Sequence, residues 1–289
     1  MKLLESNFSR RLVVTVLGIP LILAIIIGGS IPLYLFINLI ALISLFEIKK
    51  LLDNVNLQLS PYLFVPLTIG IIYFMTNGEA YLRNAIFITS VIFVGIAGAV
   101  FTDKLFSIQQ RKLENRPQNK VVGLYPGIKN FVVTVSATLI ISVFLSYAIL
   151  LKQLNLGTEL LTTTIFGVFA FDTGAYVFGT IFGKNKMAPS ISPGKTWEGA
   201  IFGTIISVAT VLACSSILSV GLDILIVVML GIIVVLLGQT GDLLESYFKR
   251  KMKSKDSSRL LPGHGGVLDR IDSIVIVLPA VYYWLLLWV

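Results

Sequence analysis

Nine long apolar stretches dominate this sequence, at about residues 12–28, 31–48, 62–76, 84–101, 131–151, 160–182, 199–219, 223–241 and 273–289. Each is near the roughly 20 residues that an α-helix needs to cross about 30 Å of hydrocarbon. Only 13% of the 289 residues are charged, too few to coat a soluble fold in which 56% are hydrophobic. The pattern predicts an all-α, polytopic membrane protein with about nine transmembrane helices.

Basic residues are divided unequally between the two sets of connections that nine spans would create. All 23 lysines and arginines except Arg83 and Lys152 lie on the side shared by the N-terminus and the even-numbered connections. Because cytoplasmic loops carry the excess of lysine and arginine, we expect this side and the N-terminus in the cytoplasm. The net charge of +8 then reflects orientation in the inner (plasma) membrane and anionic lipid, and no nucleic-acid partner is expected.

The distribution of polar residues also predicts two regions. Residues 1–130 carry few polar residues within their apolar stretches, which favours a role in packing or dimerisation. Residues 131–289 are predicted to form the catalytic region, with its active site on the cytoplasmic face. In the first region, Glu47 lies near the end of an apolar stretch, where we expect it to extend toward the interface or to pair with Lys50.

Acidic residues recur at helical spacing in the segment 241–272. Asp242 and Glu245 are three residues apart, as are Asp269 and Asp272, so each pair would project from one face of a helix. Two such pairs facing each other could hold a hard divalent cation such as Mg²⁺, with substrate phosphates completing the shell. The alternative is that these are ordinary helix-terminal acids at the membrane boundary.

Cations and a glycine-rich turn lie between the two acid pairs. A phosphate-rich substrate needs such cations, although anchoring to anionic lipid explains some of them equally well. The turn Pro262-Gly263-His264-Gly265-Gly266 would let backbone N–H groups approach an anion. His264, the only histidine, would contact a phosphate, transfer a proton or orient the turn. The cations are Lys249, Arg250, Lys251, Lys253, Lys255, Arg259 and Arg270.

Two further polar sites precede this segment. Asp172 lies inside the sixth apolar stretch, where a carboxylate is a functional candidate by default; its alternative role is as partner to a buried base or amide. Gly194-Lys195-Thr196 is similar to the end of a P-loop, but Pro189 stands where that motif needs glycine, and no strand is expected before it. What remains is a polar cluster that suits phosphate contact at the start of a helix, formed by Ser192, Lys195, Thr196 and Glu198.

The segment 246–272 reads Ser246-x-Phe248-Lys249-Arg250-x4-Lys255-Asp256-x-Ser258-x2-Leu261-Pro262-x-His264-Gly265-Gly266-Val267-x-Asp269-Arg270-Ile271-Asp272. It resembles the complete signature of the phosphatidate cytidylyltransferases, also called CDP-diacylglycerol synthases, with no departure at the fixed positions. The segments 192–199 and 172–176 are similar to further parts of that family. The resemblance is dense from about 166 to 279 and only topological before that.

The resemblance implies an activity and a set of partners. The activity is transfer of a cytidylyl group from CTP to phosphatidic acid, giving CDP-diacylglycerol and pyrophosphate in phospholipid biosynthesis. A many-helix membrane fold, a homodimer and dependence on Mg²⁺ are implied as well, and whether a second metal ion takes part is left open. The family's metal-holding acids correspond to Asp242, Asp269 and Asp272.

Chemistry and resemblance together give the predicted site residues. The predicted catalytic residues are Asp242, Lys249, Arg250, Lys255, Asp256, His264, Asp269, Arg270 and Asp272. The predicted substrate-binding residues are Asp172, Ser192, Lys195, Thr196, Glu198, Gly265 and Gly266.

Two alternatives are compatible with parts of this pattern. A related CTP-dependent lipid transferase, such as a polyprenol kinase or an archaeol cytidylyltransferase, shares the chemistry of CTP at a membrane boundary. A transporter or channel would account for Asp172 and for a helix broken near Gly174 and Gly179. Against the latter, the polar residues gather on one side of the membrane rather than lining a path across it.

Overall fold

The computed structural model describes residues 17–113, 126–261 and 265–288. Within these ranges the chain forms nine helices and one small hairpin. The strands are β1 (Lys186–Ala188) and β2 (Ser192–Thr196), and both lie between α6 and α7. The helices are α1 (Leu17–Ile27), α2 (Ser30–Asp53), α3 (Pro61–Asn77), α4 (Ala80–Leu113), α5 (Pro126–Lys152), α6 (Gly157–Phe182), α7 (Trp197–Ile217), α8 (Ile224–Lys251) and α9 (Leu268–Leu285).

Six of the described helices are long and apolar enough to cross a membrane, namely α2, α5, α6, α7, α8 and the part Ala80–Ala97 of α4. Helices α1 and α3 are apolar but shorter over the described residues. Large apolar side chains such as Ile31, Ile96 and Ile205 are exposed on the outside of the bundle, as a lipid-facing surface requires. The prediction of a polytopic helical membrane protein is confirmed.

Helix α5 lies at the centre of the bundle and packs against α2, α3, α4 and α9. Its residues Leu145, Tyr147 and Leu151 are buried. The hydroxyl groups of Tyr147 and Tyr283 are 2.8 Å apart, and Tyr283 donates a hydrogen bond of 3.0 Å to Asn84 Oδ1. Helices from the two predicted regions therefore share one core around α5.

Helices α6 and α7 approach each other closely along a line of small residues. A β-carbon on Gly203 would lie 2.9 Å from the carbonyl oxygen of Phe171, and one on Gly174 would lie 3.2 Å from the Cα of Gly203. Ser207 Oγ donates to the carbonyl oxygen of Gly167 at 2.8 Å. Small residues allow the backbones of membrane helices to come this close, and the contact fixes the part of α6 that carries Asp172 beside α7.

Contacts between connections occur in two groups, one at each end of the bundle. At one end, Lys152 Nζ at the end of α5 donates to the carbonyl oxygen of Ile26 at the end of α1. At the other, Asn54 Nδ2 after α2 donates to the carbonyl oxygen of Met252 after α8 at 3.3 Å. The ends of α1 and α5 therefore meet at one end of the bundle and those of α2 and α8 at the other, as consecutive helices of alternating direction would require.

The expectation of an all-α chain needs one correction, because β1 and β2 form a two-stranded antiparallel hairpin. Pro189 and Pro193 cannot continue a helix, so the connection between α6 and α7 turns back on itself. The expectation that no strand precedes Lys195 was therefore wrong, although Pro189 still excludes a P-loop. The paired residues are Lys186 with Thr196 and Ala188 with Ser192.

Two helices are longer at the polar end than the apolar stretches alone predicted. Helix α8 continues past 241 to Lys251, and α9 begins at Leu268, before 273. The acidic pairs of the segment 241–272 therefore lie on helices, as their spacing predicted. Residues 1–16 and 114–125, the latter in the predicted cytoplasmic connection 102–130, lie outside the described residues.

Candidate active site

The crossing of α8 and α9 brings two predicted acids together. A β-carbon on Gly241 would lie 2.5 Å from the carbonyl oxygen of Asp272 and 3.2 Å from the Cα of Ser273. Only glycine allows the two backbones to approach this closely. Asp242, the next residue on α8, is thereby placed beside Asp272 on α9.

Three carboxylates from three helices form an electrostatic cluster at this crossing. The charges of Asp242 and Asp272 repel each other, and each also repels Asp172 on α6. Lys195 and Arg270 offset part of this negative charge at Asp172. Asp172 is exposed, and the Asp242 side chain retains 30% exposure, so the cluster is accessible from outside the protein. We call Asp172, Asp242 and Asp272 the acidic cluster.

Lys195, at the end of β2, provides the nearest positive charge to the acidic cluster. Its Nζ forms an ion pair of 2.6 Å with Asp242 Oδ2. Lys195, predicted to bind substrate, thus contacts one of the predicted metal ligands. A cation and an anion at this distance create a site that can attract both a phosphate and a metal ion.

Side chains from α7 and α8 hold the hairpin that carries Lys195. Glu198 accepts hydrogen bonds from the backbone N–H groups of Lys184 and Asn185, at 3.1 Å each. Thr196 caps α7 by accepting from the N–H of Gly199 at 3.2 Å. Glu198 and Thr196, predicted to bind substrate, therefore both act on the backbone of their own segment in this arrangement.

Arg250 on α8 contacts the hairpin, and Ser192 belongs to it. Arg250 Nε donates to the carbonyl oxygen of Ile191 in the turn at 3.1 Å, and its Nη1 donates to Ser254. Ser192 lies in β2, opposite Ala188. Arg250 thus links the end of α8 to the hairpin turn.

Lys249 is buried between two carboxylates. Its Nζ lies 2.5 Å from Glu245 Oε2 and 2.6 Å from Asp269 Oδ1, and the three side chains are between 7% and 11% exposed. The four acids of the two i,i+3 pairs are therefore divided. Glu245 and Asp269 share the Lys249 ammonium, whereas Asp242 and Asp272 belong to the acidic cluster.

Asp269 closes the α8–α9 loop (residues 252–267) by accepting several hydrogen bonds. Its donors besides Lys249 are the N–H of Ser257 at 3.0 Å and the N–H of Gly266 at 2.8 Å. Asp269 precedes the predicted span 273–289. Burial alone would raise the pKa of this carboxyl, but the Gly266 N–H and the Lys249 ammonium outweigh it and hold the pKa below its usual value.

Glu47 on α2 is a residue of this region that sequence reasoning misplaced. Its carboxylate is buried, with 3% exposure, and accepts hydrogen bonds from the α8–α9 loop and the start of α9. The expectation that Glu47 extends toward the interface or pairs with Lys50 was wrong. The usable signal was a carboxylate within the last turns of an apolar helix, which is a functional candidate by default.

The remaining predicted residues belong to the α8–α9 loop, apart from Arg270 on α9. Lys255, Asp256 and Arg270 are exposed. Gly265 has a φ of +83°, a conformation that favours glycine, and Gly266 is buried. His264 lies outside the described residues.

The donor chemistry of the acidic cluster fits a hard divalent cation, because carboxylate oxygens that repel one another are stabilised by one. Asp242 and Asp272 are the two predicted ligands within it. The oxygens of Asp269 already accept from Lys249, Ser257 and Gly266. Among the described residues, no three His, Cys, Asp or Glu side chains are close enough to ligate one ion in this arrangement.

Comparison with known proteins extends these observations to the whole chain. A family model described as "Cytidylyltransferase family" matches residues 9–288. A phosphatidate cytidylyltransferase of Staphylococcus haemolyticus (strain JCSC1435) is 34% identical over 272 residues, which cover 93% of this chain and 95% of that protein.

Further relatives share the similarity, one of them at higher identity over a shorter stretch. A phosphatidate cytidylyltransferase of Staphylococcus aureus (strain COL) is 33% identical over 279 residues, covering 93% of this chain and 95% of that protein. One of Staphylococcus saprophyticus (strain ATCC 15305) is 47% identical over 112 residues, covering 39% of this chain and 43% of that protein. With both a family match and relatives along nearly its full length, the chain belongs to the cytidylyltransferase family.

Proposed function

We propose that this protein is a phosphatidate cytidylyltransferase. An oxygen of the phosphatidic acid phosphate attacks the α-phosphorus of CTP and forms a new P–O bond. The bond between that phosphorus and the oxygen bridging to the β-phosphate breaks, and pyrophosphate leaves with the electron pair. The products are CDP-diacylglycerol and pyrophosphate. The observation that supports this best is the acidic cluster beside Lys195, in a chain whose relatives bear this name.

The arrangement suits a reaction between two anions, in which charge and position matter more than covalent chemistry. Lys195 lies at the acidic cluster, and Arg270 interacts with Asp172 there. Lys255 and Arg259 are exposed on the adjacent loop, where they can attract the substrates. Lys249 and Arg250 bond protein groups in this arrangement and hold the loop and the hairpin in place, and their catalytic role stays a prediction.

Magnesium is the proposed cofactor, with Asp242 and Asp272 as its protein ligands. When bound there, Mg²⁺ would offset the charge of the triphosphate and of the leaving pyrophosphate. Asp172 adds negative charge to the same cluster, and Lys195 is close enough to contact a phosphate that reaches Asp242. A phosphate monoester is already a nucleophile, so the transfer is direct and needs no covalent enzyme intermediate. Trapping a cytidylyl- or phosphatidyl-enzyme would contradict this step.

The proposed topology has nine spans, a cytoplasmic N-terminus and the site on the cytoplasmic face of the inner membrane. The basic excess and the grouping of connections at the two ends of the bundle support it. Single cysteines introduced at Glu79 and Lys184 in a Cys214→Ala background test it. A membrane-impermeant thiol reagent should label position 79 from outside the cell and position 184 only after the membrane is opened.

The proposed assembly is a homodimer, with residues 1–130 as the region that packs or dimerises. Light scattering of the detergent-solubilised protein, corrected for bound detergent, gives the mass. A mass of one chain would contradict the dimer.

Phosphatidate-dependent release of pyrophosphate from CTP tests the activity itself. The purified protein in mixed micelles should release pyrophosphate only when CTP, Mg²⁺ and phosphatidic acid are all present. Diacylglycerol, which lacks the attacking phosphate, is the matched control lipid. Equal release with diacylglycerol would contradict the proposed nucleophile.

A further inference from the structure

The Glu47 carboxylate connects α2 to the α8–α9 loop. Oε1 accepts from Ser258 Oγ at 2.6 Å and from the N–H of Val267 at 3.0 Å. Oε2 accepts from Ser257 Oγ at 3.0 Å and from the N–H of Leu268 at 2.8 Å. Each oxygen thus binds one hydroxyl and one backbone N–H, which satisfies a buried charge that would otherwise be costly.

Only a carboxylate can accept all four of these hydrogen bonds. A backbone N–H cannot act as an acceptor, and one lies against each oxygen of Glu47. In a glutamine, whichever way the amide is turned, its NH₂ group would face the N–H of Val267 or that of Leu268. The isosteric change from glutamate to glutamine should therefore break this contact rather than weaken it slightly.

The contact fixes the start of α9, and through it the acids that follow. Leu268 is the first residue of α9, and a negative charge at a helix N-terminus is favourable. Ser257 is shared, since its hydroxyl donates to Glu47 and its N–H donates to Asp269. A β-carbon on Gly266 would lie 2.5 Å from Glu47 Oε2, which explains why glycine occupies this position.

A second contact from α2 reaches the beginning of the same loop. Asn54 Nδ2, just after α2, donates to the carbonyl oxygen of Met252 at 3.3 Å. The polar end of α2 thus supports the α8–α9 loop at both of its ends. A helix from the region predicted to serve packing or dimerisation contributes directly to the support of the site.

We propose that Glu47 is a positioning residue for cytidylyl transfer, because its carboxylate holds the α8–α9 loop and the first turn of α9 so that Asp272 and Arg270 stay at the acidic cluster. The proposal rests on the proposed function for its kinetic part. Its structural part, the attachment of the loop, can be measured without substrate.

The first test compares Glu47→Gln with Asp53→Asn. Both remove one carboxylate from α2, but Asp53 is exposed and, among the described residues, forms an ion pair only with Lys49, at 3.4 Å. At saturating CTP and lipid, we expect kcat of Glu47→Gln to fall by about tenfold or more, since small displacements of reacting groups cost that much. Asp53→Asn should retain the wild-type kcat. Equal kcat values for wild type and Glu47→Gln would overturn the proposal.

The second test measures loop attachment by trypsin cleavage of the detergent-solubilised protein, read by mass spectrometry. Lys255 and Arg259 are exposed in the loop, so detachment should increase the rate of cleavage after them. We expect faster cleavage at both sites in Glu47→Gln and wild-type rates in Asp53→Asn. Unchanged cleavage in Glu47→Gln would overturn the proposal, whatever reaction the protein catalyses.

Two further variants separate positioning from general stability. Ser257→Ala with Ser258→Ala removes two of the four donors and should change kcat and cleavage in the same direction, even if Glu47→Gln fails to fold. Lys152→Met removes contacts at the opposite end of the bundle, to Ile26 and Thr158. It should lower the unfolding temperature without changing kcat per folded molecule. If Lys152→Met lost as much kcat as Glu47→Gln, the role of Glu47 would be stability alone.

Discussion

Lys195 and Asp242 form an ion pair of 2.6 Å between the hairpin and α8. Among the described residues, the hairpin forms no other ion pair. The Lys195–Asp242 pair lies at the acidic cluster, where Asp172 and Asp272 also meet. If Mg²⁺ binds Asp242 as proposed, this lysine would be free to contact a phosphate group.

Lys195→Ala should therefore raise the KM for CTP or lipid by about tenfold or more, the value of one hydrogen bond to a charged group. Steady-state kinetics with each substrate varied in turn would identify which phosphate the lysine contacts. Lys184→Ala, which removes an exposed lysine just before the hairpin, is the matched control. Unchanged kinetics in Lys195→Ala would make the hairpin structural only.

Gly241→Ala should lower kcat on the order of 100-fold, because the added β-carbon must push α9 away from α8 and displace Asp272 from Asp242. Gly238→Ala is the control on the same helix, since its β-carbon would meet only Val277 and Ser273 at ordinary distances of 3.6 and 3.7 Å. Initial rates measured for both variants test this predicted difference in kcat. Equal rates would mean that the crossing of α8 and α9 tolerates displacement.

Asp269→Asn should stop turnover and also destabilise the protein. Breaking a buried ion pair costs about 3–5 kcal/mol, and Lys249 would keep only Glu245 as a partner. Thermal unfolding in detergent, together with trypsin cleavage of the α8–α9 loop, measures both effects. A variant that unfolds like the wild type and is active only at raised Mg²⁺ would instead support Asp269 as a metal ligand.

Removing divalent cations should abolish activity, and added Mg²⁺ should restore it. Asp242→Asn and Asp272→Asn should each require more Mg²⁺ for half-maximal rate, because each removes a negatively charged oxygen donor from the proposed site. Titrating Mg²⁺ at fixed CTP, with correction for the Mg²⁺ bound to CTP, measures this. If both variants needed the same Mg²⁺ concentration as the wild type for half-maximal rate, the metal would bind elsewhere.

The sequence predicted the helices because apolar stretches of this length have few alternatives, and the i,i+3 spacing correctly placed the acids on helix faces. It could not predict how the four acids of α8 and α9 divide, since Lys249 joins Glu245 to Asp269 only once the two helices cross at Gly241. Gly241 carried no visible signal, because its importance depends on the Asp272 backbone.

The partners of Glu47 could not be predicted from the sequence for a different reason. Glu47 was visible as a charge near the end of an apolar stretch, but its partners are distant in sequence, and two of them, Val267 and Leu268, donate backbone N–H groups. Backbone donors leave no trace in composition or spacing, so a pairing with nearby Lys50 was the simpler interpretation. The hairpin at 186–196 was missed because its strands are too short to show alternation.

The defining step of the proposed reaction is transfer of the α-phosphoryl group of CTP, with its cytidine, to phosphatidic acid. It is tested most directly by incubating the protein with Mg²⁺ and CTP labelled at either the α- or the γ-phosphate, with phosphatidic acid or a polyprenol as acceptor. We predict lipid-soluble label only from α-labelled CTP and only with phosphatidic acid. Label transferred from the γ-phosphate would contradict this reaction and identify a lipid kinase, and α-label transferred to the polyprenol would contradict phosphatidic acid as the acceptor.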